Sequence, residues 1–224
     1  MTRAATASPL RPARLAFAAA CALLGALLAA VVLAALPPAA RPMLPADPES
    51  RGEAFEQAIA AALTKVRAAG EEWAIAVDPA DINAWLATRL PKWIAHDPEL
   101  AALEPARTVR IAAVAGGLVV EDSAHANGAA VLTLPVTPSL ADGRLLLEIG
   151  TARIGRLPVP GSASALAALA RDSLNRLASG PARIPLADRR TVELRGIECV
   201  SGEIRLLFAT LPPPSEPRDG AAPR

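Results

Sequence analysis

Between Leu15 and Leu36 the chain runs 22 residues without one charged or amide side chain. Wound as an α-helix it reaches ~33 Å at about 1.5 Å per residue, enough to cross a hydrocarbon core of roughly 30 Å. Such a stretch fixes compartment and orientation before any chemistry is considered. It is longer than the roughly 7–15-residue apolar core of a cleaved secretory signal, and Pro37-Pro38 directly after it suit cleavage poorly. Small residues around Val32 and Ala34 leave cleavage open as an alternative. A lipoprotein signal built on Cys21 is disfavoured, because only six apolar residues separate it from Arg14. The features favour an uncleaved anchor.

The flanks give its direction. Arg3, Arg11 and Arg14 precede the stretch, and residues 1–36 contain no Asp or Glu. Beyond it, Arg41 is the only cation before Asp47 and Glu49. Basic residues stay on the cytoplasmic side. Residues 1–14 are therefore expected inside and residues 37–224 outside the cytoplasm, in the periplasm, with the cell membrane as the first partner through Leu15–Leu36.

The formal net charge is +1, and the three arginines before the anchor leave about −2 for the rest. A near-neutral domain has no electrostatic footprint for nucleic acid, so no nucleic-acid partner is expected. Arginine replaces lysine almost everywhere, Lys65 and Lys92 being the two exceptions, and tyrosine is absent; this reads as codon bias from a GC-rich genome. Cys21 and Cys199 are the only cysteines, one in the anchor and one beyond it, so no internal disulfide is expected and packing alone holds the fold.

Residues 37–48 form a proline-rich spacer, stiff and extended, expected to hold the following domain off the bilayer. Ser50 to Ala69 reads as an amphipathic helix with Phe55, Ile59, Leu63 and Val66 on one face, stopped by Gly70. Glu72 to Val77 alternates as a short strand. Asp78-Pro79-Ala80-Asp81 is a helix start, with Asp78 as cap, Pro79 in the first turn and an acid to follow. That helix is expected to run to about Leu90, ended by Pro91, with Ile82, Trp85, Leu86 and Leu90 as its apolar stripe. Asn83 is a mediocre helix former, expected to reach a backbone group. Lys92-Trp93-Ile94 would cover a core edge or touch a membrane surface.

From Thr108 the apolar period shortens to two. Four antiparallel strands follow as a meander, turned at Gly116-Gly117, Asn127-Gly128 and Asp142-Gly143. Pro135 and Pro138 in the third strand imply an edge or a bend. The fourth is expected to run unbroken from Arg144 to Ile154 into an extended crossover at residues 155–160. A helix capped by Ser162 or Ser164 and lined by Leu166, Leu169, Leu174 and Leu177 comes next. Thr191–Val200 and Glu203–Leu211 close the domain as a hairpin about Ser201-Gly202. Residues 212–224 are a disordered tail. The expected domain layout is thus 1–14 cytoplasmic, 15–36 anchor, 37–48 spacer, 49–211 domain and 212–224 tail. The fold class is α+β: an N-terminal transmembrane helix, then one domain with a curved antiparallel sheet packed on two or three helices.

Chemistry is sparse. His96 and His125 have no Cys, Asp or Glu at metal-ligand spacing, so no metal and no cofactor are expected. Ser162 in Gly161-Ser162-Ala163-Ser164 lacks the second glycine of a nucleophile elbow. Glu121-Asp122 is disfavoured as a carboxylate pair, since adjacent strand residues point to opposite faces, and reads as a solvated face. Gly116-Gly117 has no phosphate-loop context. No catalytic residue is assigned, and an enzyme is not expected.

The order of elements, with "VDPADINAWL", "DGRLLLEIGTARIGRLPVP" and "VELRGIECVSGEIRLLF", resembles the YpmS-like group of single-pass extracytoplasmic proteins. Ile82-Asn83 and Gly155-Arg156-Leu157-Pro158-Val159-Pro160 carry the match, which spans roughly residues 15–211. The group has no established activity, so the resemblance implies placement rather than mechanism. At longer range the pattern is similar to tubular lipid-binding proteins, which implies a curled sheet around a long helix with an apolar channel between them. Ile82, Trp85, Leu86, Leu166 and Leu169 are the candidate lining of such a channel; they would equally fill an ordinary core. Two function classes stand: a membrane-anchored module that binds lipid or another apolar ligand in envelope maintenance or transport, and a non-enzymatic scaffold with a filled core that binds an envelope protein.

Overall fold

A computed structural model describes residues 12–38, 42–97, 100, 108–122, 131–162, 164 and 182–212. The apolar N-terminal stretch is a single 24-residue helix, α1 (Pro12–Ala35). Its side chains are described only from Cys21 onward, and among the described residues no helix is long and apolar enough to cross a membrane.

The domain is α+β, with antiparallel sheets and, among the described residues, helices α2 to α4 after α1. Helix α2 (Pro48–Thr64) is capped by Asp47, whose carboxylate accepts the Ser50 amide. It ends five residues before the expected Ala69, because two arginines meet its free carbonyls. Arg67 donates to the Ala62 and Lys65 oxygens, and Arg190 to those of Thr64 and Lys65. Cations at a helix C-terminus are favoured by its partial negative charge. Val66, expected on the apolar face, falls outside the helix and is 80% exposed.

Strand β1 (Glu72–Val77) and the start of α3 (Pro79–Thr88) follow the sequence signals residue for residue, with the Asp78 carboxylate accepting the Ala80 amide. Arg51 of α2 reaches across to Asp81 at 2.6 Å and Asp78 at 2.9 Å. Pro91 does not end the helical path. The chain bends at Arg89 and Pro91 sits in the first turn of a second helix, α4 (Leu90–His96), where a missing amide costs nothing.

Among the described residues two antiparallel sheets replace the single expected one. The first has order β1, β10 (Glu203–Leu211), β9 (Thr191–Val200), β8 (Arg183–Pro185). The second holds β2 (Val109–Val114), β3 (Gly117–Asp122) and β4 (Leu132–Ala141) in order. Strands β5 (Arg144–Ile149) and β6 (Arg153–Ile154) both pair β4, and β7 (Leu157–Pro158) pairs β6. The consecutive antiparallel pairing of β2, β3, β4 and β5 and the final hairpin are as expected, including the left-handed pair Asp142 and Gly143 at the turn. The unbroken Arg144–Ile154 strand is not: it divides at residues 150–152. Pro135 of β4 has no amide to offer there, and its carbonyl instead accepts the Gly150 amide at 2.8 Å. The β4 strand is central rather than an edge, but Pro138 lies in the half that pairs β5 alone. Bonds from turn amides to strand carbonyls tie the sheets together, from Gly116 to Cys199 of β9 and from Gly202 to Ala113 of β2. Val77, Ala113, Val136, Val192, Ile204 and Phe208 lie in the core. Glu121 of β3 is also buried, 4% exposed, which overturns its reading as part of a solvated face. It stands in register with Arg110 on the neighbouring strand.

The described residues of the proline-rich stretch after α1 touch the domain. Pro42 is buried, the Met43 carbonyl bonds the domain through Asn83, and the tight turn between β6 and β7 meets the end of α1 directly. Ser162 and Ser164 both lie within helical backbone rather than ahead of it, and the Ser162 hydroxyl bonds the Ala152 amide and the Val159 carbonyl. The expected turn at Asn127-Gly128, His125, the helix core at Leu166, Leu169, Leu174 and Leu177, and the tail 213–224 lie outside the described residues.

Candidate functional site

Three helices meet at one corner. The crossing of α2 and α3 is close because Gly52 of α2 is buried against α3: a Cβ there would stand 3.1 Å from the Ala84 carbonyl and 2.7 Å from the Thr88 hydroxyl. Asn83, 1% exposed, fastens the corner to the sheets. Its amide accepts the Ile111 N–H at 2.8 Å and donates to the Ile111 and Met43 carbonyls at 2.9 and 3.2 Å. A side chain thus supplies the pairing that a neighbouring strand would give β2, and the expectation that Asn83 reaches backbone is met.

With α3 held there, α2 and α4 leave a groove of about 310 Å³ on the outer side. Phe55, Ile59, Ala60 and Leu63 of α2 form one wall, and Trp85 and Trp93 the other. This volume is at the low end of small-ligand sites, roughly 300–1,000 Å³. Trp93 is 48% exposed, an indole left half in water at the groove's mouth. Glu56 is the one charged residue of the lining, and it is neutralised within the fold. Arg89 grips its two oxygens at 2.8 and 3.3 Å, and the Trp85 indole N–H donates at 3.3 Å. Hydrogen bonding from the Arg89 guanidinium holds the Glu56 carboxyl below its ordinary range.

Of the sequence candidates, Trp85 lines this groove. Ile82 and Leu86 are half-buried on α3 and do not line it, while Leu166 and Leu169 lie outside the described residues. Phe55, Ile59, Leu63 and Trp93 are legible as apolar positions but not as one site, since two separate helices contribute them and Trp85 comes from a third. His96 sits at the exposed end of α4, its Nδ1 2.7 Å from the Lys92 carbonyl. Among the described residues no three His, Cys, Asp or Glu side chains form a group that could hold a metal ion.

A second concavity, of about 370 Å³, lies at the foot of α1. The Arg156 amide donates to the Leu33 carbonyl at 2.8 Å, and its Nε to the Pro37 carbonyl at 3.0 Å. Gly155 is buried with φ +59°, and a Cβ there would overlap the Ala34 and Leu36 carbonyl oxygens. Only glycine lets the turn seat the end of the helix this closely.

The chain matches no protein-family model, no curated protein and no solved structure.

Proposed function

We propose that this chain is a single-pass membrane protein of the YpmS-like kind, with its N-terminus in the cytoplasm and its domain outside. In this reading the domain takes an acyl chain or a similarly narrow apolar ligand in the groove between α2, α3 and α4. Support for the anchor comes from the uncharged Leu15–Leu36 stretch and its one-sided arginines. One observation carries the ligand: a groove walled by Phe55, Ile59, Leu63, Trp85 and Trp93, whose single carboxylate is already held by Arg89. An apolar guest desolvates no unpaired charge on entering.

The test uses the full-length chain in detergent-free nanodiscs and a fluorescent long-chain fatty acid. Saturable uptake that quenches tryptophan emission and falls on Ile59→Glu substitution supports the reading. Uptake unchanged by Ile59→Glu, or none above empty nanodiscs, overturns it.

A second reading, a scaffold for another envelope protein, is favoured by β1. Among the described strands it pairs only β10, which leaves one edge for a strand from outside.

A further inference from the structure

The concavity at the foot of α1 differs in chemistry from the groove. Its walls include Pro38, Val114, Val119 and Pro135, and Arg153 and Arg156 stand over them with no carboxylate among the described lining residues. Arg51, Arg89, Arg183, Arg190, Arg195 and Arg205 all lie within 3 Å of an acidic side chain. Arg153 and Arg156 form no salt bridge among the described residues. They are two exposed cations in a part of the chain whose net charge is about −2.

Position gives them a partner. Arg156 bonds the carbonyls of Leu33 and Pro37, at the point where the uncharged Leu15–Leu36 stretch ends. If α1 spans the bilayer, as the proposed function holds, the two guanidinium groups lie at headgroup depth, and the apolar walls face the glycerol region. Guanidinium groups match phosphate oxygens in fork geometry and are weakly hydrated. The phosphodiester of a zwitterionic lipid carries its own cation; that of an anionic lipid does not.

We infer that Arg153 and Arg156 form a binding site for the headgroup of an anionic phospholipid on the extracytoplasmic leaflet, against the end of α1. The inference rests on the anchored reading and is independent of the groove. Such a site fixes the domain's tilt on the membrane, because the turn that holds the lipid also holds the helix.

The experiment reconstitutes the full-length chain in nanodiscs of phosphatidylcholine with a minor share of phosphatidylglycerol and reads retained lipids by native mass spectrometry. The site predicts enrichment of phosphatidylglycerol by about tenfold over the bilayer ratio. Arg153→Gln, which breaks no contact to α1, lowers the enrichment several-fold, and Arg153→Gln with Arg156→Gln removes it. Arg144→Gln, an exposed arginine on β5, leaves it intact. A wild-type ratio equal to the bilayer's overturns the site, as does equal loss in Arg144→Gln, which would mark a net-charge effect. Loss of the enrichment in millimolar inorganic phosphate, with the nanodisc intact, assigns the pair to free phosphate and overturns the lipid. Recovery of the chain outside the nanodiscs is a separate result: it overturns the anchored reading and the site with it.

Discussion

The helical corner and the foot of α1 are both joints, but they handle charge in opposite ways. At the corner the charges around the groove pair with one another: Glu56 with Arg89 and Trp85, Asp78 and Asp81 with Arg51, Glu49 with Lys92. What faces outward there is apolar. At the foot, the backbone is satisfied by α1 and the side-chain charge is left over. A fold that pairs its arginines with carboxylates in one place and, among the described residues, leaves two without a carboxylate in another separates what it needs for stability from what it offers to a partner.

The largest effect expected from breaking either joint is at Asn83. Replacing it with alanine leaves the Ile111 N–H and C=O without their partner in a buried place, which costs about 2–4 kcal/mol; denaturation of the full chain in detergent reads the loss. Asn83→Asp sharpens the point. An ionised carboxylate still accepts the Ile111 amide but faces the Met43 and Ile111 carbonyls, so the folded state raises its pKa. The variant should therefore regain stability as the pH falls through that raised value, when a protonated oxygen again donates. A flat pH profile would mean the amide's donor side is not used.

Next in size is Gly155→Ala at the foot. A left-handed alanine costs roughly 1–2 kcal/mol, and its Cβ must displace the end of α1. Because the domain core is untouched, the clearest readout is hydrogen exchange at the Arg156 amide. Its protection should collapse while that of β9 and β10 amides stays within about threefold of wild type. Uniform loss of protection would show that the seat on α1 is part of the global fold rather than a local clasp.

These two joints also mark the boundary of what the sequence could tell. The Asp78-Pro79 helix start, the Asp142-Gly143 turn and the closing hairpin are local signals in which neighbours along the chain decide the backbone, and each formed as expected. Asn83 was legible as a polar residue out of place in a helix, though not its partner, because β2 arrives from 28 residues away. Pro91 misled because proline is tolerated in the first turn of a helix as readily as it ends one. The division at residues 150–152 depends on Pro135 in another strand, and strand alternation alone does not say which face of β3 is covered, so the burial of Glu121 is not legible locally. Trp85 was the one candidate that the groove absorbed; the rest of its lining belongs to α2 and α4, whose meeting no periodicity encodes.

A smaller effect separates ligand binding from folding at the corner. Trp93→Ala removes a half-exposed indole, so the stability cost is about 1 kcal/mol, while affinity for the fatty-acid probe should fall about tenfold. Equal affinity in the variant would place the ligand elsewhere.

The smallest effect tests whether Glu56 is a structural charge or part of the binding chemistry. Its carboxyl is held below the ordinary value of 4.5 chiefly by hydrogen bonding from Arg89. A lowered folded value means stability that is fully present above the unfolded pKa and lost as the pH falls through the folded one. Wild type should thus lose a small increment below pH 4.5 that Glu56→Gln, already lacking the ion pair, does not lose. At neutral pH the substitution should cost about 1 kcal/mol, since both partners keep some water contact. Probe affinity should stay unchanged, because the groove's outward face is apolar either way. If Glu56→Gln alters affinity more than stability, the carboxylate meets the ligand, and the corner would share the outward-facing charge of the foot.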